Sequence, residues 1–85
     1  MTKLDQSSVE TKVKEVLSRE LAIDINKISL DSKLAEDLGM DSFSYVELNF
    51  ALEDTLSMEI PDKDAIGFVT VGDVINYIVS HQPAS

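Results

Sequence analysis

The group best placed for covalent chemistry in this sequence is a hydroxyl, that of Ser42, directly after Asp41. Gly39 closes the segment before it, and Asp41 is a good N-cap. Ser42 is therefore expected at the first position of a helix, on the surface, open to a modifying protein. A phosphodiester formed there would meet free N–H groups and the positive helix end. An ordinary helix start, a capping aspartate followed by a tolerated serine, has the same two residues. The pair alone does not choose between these readings.

The residue types that build active sites are scarce. The sequence has no cysteine, and its one histidine, His81, lies near the C-terminal end. That excludes a thiolate or histidine-cluster zinc site. Gly39, Gly67 and Gly72 stand apart, so no glycine-rich phosphate loop exists. Asp31-Ser32-Lys33-Leu34-Ala35-Glu36 lacks the alternating oxygen ligands and central glycine of a calcium loop. Carboxylates are plentiful, but none pairs with a second catalytic group. The expectation is a protein that is not itself an enzyme and binds no metal.

Helical periodicity supplies the elements that must position Ser42. Val9, Val13, Val16 and Leu17 recur at helical spacing over Ser8 to Leu21, with Ser7 or Ser8 as the cap. A second helix runs from Asp41 to about Leu56. Pro61-Asp62 opens a short turn or helix through about Ile66, which Gly67 stops. Thr70 caps a last helix with Asp73 three residues on, and its apolar stripe is Val71, Val74, Ile75, Ile78 and Val79. Between the first two helices, Ile23, Ile25, Ile28, Leu30, Leu34 and Leu38 are too apolar for a loose linker. A strand over Ile23 to Leu30 would have no partner. A long ordered loop is expected instead, with a short helical turn near Lys33 to Asp37. The fold class is all-α: a small four-helix bundle of three main helices and one short one. Residues 1–85 form one domain with an ordered core over about 8–80, and 1–6 and 82–85 read as loose ends.

Composition narrows the partners. The chain of 85 residues is 44% hydrophobic and 27% charged, which is globular, and its net charge is -9. Residues 1–30 are neutral. Residues 31–65 hold Asp31, Glu36, Asp37, Asp41, Glu47, Glu53, Asp54, Glu59, Asp62 and Asp64 against Lys33 and Lys63 alone, a net -8. That field repels nucleic acid and steers partners with basic patches. No apolar run approaches the roughly 20 residues needed to span a bilayer. Met1 to Glu10 looks like neither a signal nor a transit peptide. A soluble cytoplasmic monomer is expected.

The second helix has two apolar stripes. At roughly 100° per residue, Leu48, Leu52 and Leu56 form one, with Tyr45 beside it. Phe43, Val46 and Phe50 form the other, bordered by Glu47 and Asp54 on one side and Glu53 on the other. Burial is the default for such a stripe. An apolar stripe fenced by acids also suits a helix that binds partners.

Glu36-Asp37-Leu38-Gly39-Met40-Asp41-Ser42-Phe43 resembles the attachment motif of acyl carrier proteins. The likeness continues through Val46-Glu47-Leu48, Leu52-Glu53, Ile60-Pro61-Asp62 and Thr70-Val71-Gly72-Asp73-Val74-Ile75-Asn76-Tyr77-Ile78, and back to Val13-Lys14 and Val16-Leu17 in the first helix, covering about residues 8 to 80. The resemblance implies a phosphopantetheine arm on Ser42, installed from coenzyme A by a phosphopantetheinyl transferase. Acyl groups would ride on it as thioesters and be presented to synthase enzymes of fatty-acid, polyketide or related lipid synthesis. It also implies that Phe43, Val46 and Phe50 lie exposed and meet partners, with Asp41, Glu47, Glu53 and Asp54 around them. Phe43, Ser44, Tyr45, Asn49 and Phe50 depart from the family's common residues, which points to a specialised carrier; Asn49 would make part of the acyl pocket polar. A carrier of amino acids and an unmodified acidic interaction module remain as alternatives.

Overall fold

The computed structural model describes residues 5–81; the expected loose ends at 1–4 and 82–85 lie outside them. Four helices follow in order: α1 (Gln6–Leu21), α2 (Ser42–Leu56), α3 (Asp62–Ala65) and α4 (Val71–His81). No strand occurs among the described residues, so the expected all-α bundle of three main helices and one short helix is what forms.

Helix α1 begins earlier than its hydrophobic period suggests. Asp5 is the N-cap, its carboxylate accepting the Ser8 N–H at 2.8 Å. Residues 5 and 6 therefore belong to the helix start, and neither Ser7 nor Ser8 is the cap. The N–H of Ser8 is one of the four donors that a helix leaves unpaired at its start, and the aspartate satisfies it. Val9, Val13, Val16 and Leu17 are buried, and α1 packs against α4 and α2. From α4, Val71, Val74, Ile75 and Ile78 close the same core.

The loop of residues 22–41 is ordered for reasons only partly visible in its apolar residues. Ile28 and Leu34 are buried and Leu38 is half-buried, but the Leu30 side chain is exposed. A 3-10 turn at Ile25–Lys27 interrupts it, capped by Asp24. The expected turn near Lys33 is present, with Lys33 O accepting the N–H groups of Asp37 (2.8 Å) and Leu38 (3.1 Å). The loop then ties to the start of α4. Val71 N–H donates to Ser32 O at 3.0 Å and Gly72 N–H to Leu30 O at 2.9 Å, while Leu34 N–H donates to Val69 O at 2.8 Å. The Val71 and Gly72 donors at the start of α4 are thus satisfied by the loop. Gly72 permits this approach, since a Cβ there would sit 3.2 Å from Leu30 O. Asp73 completes the junction: its Oδ2 accepts the Val69 and Thr70 N–H groups, both at 3.0 Å, and its own N–H donates to Thr70 Oγ1 at 3.2 Å. This is the reciprocal cap expected from Thr70 and Asp73.

Candidate functional site

Gly39, at φ +72°, turns the chain from the loop into α2, a conformation that favours glycine. Met40 is buried and anchors the turn, so the next two residues emerge at the surface. Asp41 is the N-cap of α2, its carboxylate accepting the Ser44 N–H at 2.9 Å. That bond holds the Asp41 carboxyl below the usual carboxylate range. Ser42 follows as the first helical residue and is exposed. The helix end is less electropositive than its dipole alone implies. A macrodipole end carries roughly half a unit of positive charge, and the Asp41 carboxylate beside it carries a full negative one. A phosphodiester on Ser42 would be held by its covalent bond, not by attraction to this helix end. The expected reception by free N–H groups is correspondingly reduced, because Ser44 N–H is already taken.

A cavity of about 460 Å³ opens beside Ser42. Tyr45, Val46 and Asn49 line it from α2, and Asp62, Ala65 and Ile66 from the α3 side. Its volume lies within the roughly 300–1,000 Å³ typical of small-molecule pockets. An exposed hydroxyl at the edge of a largely apolar cavity fits a flexible arm with an apolar cargo. The described residues hold no cluster of three or more histidine or carboxylate groups placed to bind a metal.

The α3 wall is held by polar ties from the neighbouring helices. Glu53 Oε2 accepts the Ile60 N–H at 2.8 Å, and Asn49 Nδ2 donates to Ile60 O at 2.8 Å. The Tyr45 hydroxyl donates to Phe68 O at 3.3 Å. The Tyr77 hydroxyl of α4 donates to Asp64 Oδ2 at 2.7 Å, and its ring meets Phe68 edge-on with centroids 5.4 Å apart. Donation to Asp64 pushes the Tyr77 phenol up to about 12, so it remains a donor across the physiological range. Burial raises the Tyr45 phenol as well. These partners lie 7 to 23 residues apart in sequence. No local spacing links them, so sequence reasoning had no signal for Tyr77, Asp64 or the inward role of Glu53.

Helix α2 divides as its two stripes suggest. Leu48 and Leu52 are buried, with Tyr45 and Leu56 half-buried beside them. Phe43, Val46 and Phe50 are 71%, 66% and 73% exposed, so the default of burial fails for this stripe. Ile66 and Val69 extend the exposed apolar surface beyond α2. Glu47 and Asp54 are exposed at the border. Glu53 is half-buried and bound to Ile60, so its carboxylate, like that of the cap Asp41, already serves the fold. No basic residue lies in the last turn of α2.

Comparison with known proteins agrees with this geometry. The family model described as "Phosphopantetheine attachment site" matches residues 11–78. An acyl carrier protein of Clostridium perfringens is 50% identical over 70 residues, covering 82% of this chain and 92% of the relative. One of Clostridium acetobutylicum is 44% identical over 70 residues, covering 82% and 91%. One of Campylobacter jejuni subsp. doylei is 47% identical over 66 residues, covering 78% and 86%.

Proposed function

Because this chain belongs to the phosphopantetheine-attachment family of acyl carriers, we propose that Ser42 is the residue that bears the arm. The protein carries acyl groups as thioesters and presents them to enzymes of fatty-acid or related lipid synthesis. The observation that carries the site assignment is the position of Ser42: exposed, first in α2, at the edge of the α2–α3 cavity. The bound arm supplies a thiol that holds the acyl group. The chain's own residues anchor, shelter and present. Ser42 offers an accessible hydroxyl with no need of a base beside it, since a phosphopantetheinyl transferase performs the attachment. The α2–α3 cavity shelters apolar cargo. Chemistry on the cargo belongs to the partners, and the protein is not itself an enzyme.

Partner recognition falls to the outer face of α2. Phe43, Val46 and Phe50 supply apolar contact area, and Asp41, Glu47 and Asp54 supply charge for basic patches. Glu53 contributes to the same field while bound to Ile60. The protein acts as a cytoplasmic monomer, and no described helix is long and apolar enough to cross a membrane. Incubation with coenzyme A and a promiscuous phosphopantetheinyl transferase tests the assignment by intact mass. The expected result is one phosphopantetheine added to wild type and none to Ser42→Ala. An unmodified wild type, or a Ser42→Ala protein that still gains the arm, overturns it.

A further inference from the structure

One buried polar atom of a cavity-lining residue has no hydrogen-bond partner among the described residues. Asn49 lines the cavity and is 7% exposed. Its Nδ2 donates to Ile60 O at 2.8 Å, which fixes the amide's orientation, because the reverse would set two oxygens against each other. Its Oδ1 is then buried without a hydrogen-bond partner. Buried acceptors left this way are rare and ask for a reason. The Tyr45 hydroxyl on the same wall already donates to Phe68 O and has no proton to spare for Asn49.

We infer that Asn49 Oδ1 reads a hydroxyl on the acyl chain, so that the cavity prefers a 3-hydroxyacyl cargo to a saturated one; this rests on the carrier reading above. Asn49 lies seven residues after Ser42 on nearly the same helix face, about 10 Å along the axis. A hydroxyl close to the thioester stays a fixed number of bonds from the attachment point whatever the chain length. A fixed acceptor can read such a group; it cannot read one counted from the far end. The terminal torsion of asparagine is soft, so Oδ1 can turn toward the cavity with Nδ2 still near Ile60 O. A neutral hydroxyl suits the site better than an ammonium group, whose burial among apolar walls is costly. A saturated chain leaves Oδ1 unpaired. A hydroxylated one supplies the missing bond.

The test loads octanoyl and 3-hydroxyoctanoyl groups onto the arm and follows thioester cleavage by hydroxylamine. Loading is read first by intact mass, so failure of the carrier reading shows as an absent mass gain. In loaded wild type, the hydroxylated thioester is expected to be cleaved on the order of fivefold more slowly than the saturated one, the worth of one hydrogen bond. The preference is expected to vanish in Asn49→Val. The Asn49 side-chain amide resonances in wild type are expected to shift with the hydroxylated cargo and not with the arm alone. Equal cleavage of the two wild-type thioesters overturns the inference, as does a preference that survives Asn49→Val. An amide shift already complete with the arm alone also overturns it, making the arm's own amides the partner. The wild-type comparison stands whether or not the variant folds.

Discussion

Glu53 invites two readings, a docking acid alone or one that also ties the fold, and its replacement by alanine separates them. As a docking acid on the surface of α2 it would contribute almost nothing to stability. In the structure its carboxylate accepts the Ile60 N–H at 2.8 Å, and Ile60 is a buried core residue whose carbonyl is held by Asn49. A hydrogen bond to a charged acceptor contributes about 1.5–3 kcal/mol. Against this, Glu53 lies in the last turn of α2, where the dipole disfavours an acid by about 0.3–1 kcal/mol. Removing it therefore costs a net ~0.5–2.7 kcal/mol. For a domain of this size that lowers Tm by roughly 4–8 °C per kcal/mol. Urea titration followed by far-UV circular dichroism gives the value directly, with the slope m unchanged if only the native state is affected. Asp54→Ala is the control: it removes an exposed acid from the same turn and is expected to leave stability within ~0.5 kcal/mol. Glu53→Gln keeps an acceptor oxygen in place and is expected to recover part of the loss. A Glu53→Ala protein as stable as wild type would refute the reasoning and return Glu53 to the docking face alone.

Two further substitutions probe the helix ends. Asp73 accepts two backbone N–H groups, and these hold its carboxyl below the ordinary value. The ionised cap therefore adds stability above the unfolded-state pKa of about 3.9 and loses it as the pH falls through the lower folded value. Asp73→Asn keeps an acceptor oxygen but loses the charge, and is expected to cost about 0.3–1 kcal/mol at neutral pH, a gap that narrows as both proteins are titrated into the acid range; a gap independent of pH would contradict the cap. Asp54→Lys places a cation at the negative end of α2 and is expected to raise stability by about 0.3–1 kcal/mol. The same change should weaken association with a basic partner enzyme and flatten its salt dependence, measured by calorimetry at two ionic strengths; undiminished binding would remove Asp54 from the docking face.

What was legible in the sequence is what short-range interactions determine. Helix α2 starts at Ser42 because Asp41 reaches the N–H three residues on, and α4 starts at Val71 because Thr70 and Asp73 cap each other. Both signals lie within four residues. Asp5 makes the same kind of bond to Ser8, but the polar run Gln6-Ser7-Ser8 after it shows no apolar helical period, so it read as part of a loose end. The loop of residues 22–41 was legible as ordered, not as a structure. Its backbone partners, Val69, Val71 and Gly72, are more than thirty residues away, and nothing in Leu30 announced that its carbonyl rather than its side chain makes the contact. The exposed stripe of α2 is the sharpest case. Phe43, Val46 and Phe50 carry no residue-level mark distinguishing them from core, and the family resemblance, not the periodicity, anticipated their exposure.

The location of the core explains how α2 tolerates such a surface. The side chains with essentially no exposure come from α1 (Val9, Val13, Val16, Leu17) and α4 (Val71, Val74, Ile75, Ile78), joined by Leu34 and Ile60 from the connections. Helix α2 adds Leu52 to that set, with Leu48 close behind. It is fixed along one narrow stripe and by polar ties at Tyr45, Asn49 and Glu53. Its outer face therefore carries little of the folding free energy. Exposing two phenylalanines there forfeits burial that no other element is shaped to provide, and an acid at its negative end costs only tenths of a kcal/mol. On the proposed reading this separation has a functional consequence. Substitutions at Phe43 and Phe50 can retune partner choice without unfolding the bundle, whereas changes at Val46 also reach the cavity, those at Glu53 reach the core through Ile60, and those at Asn49 reach both.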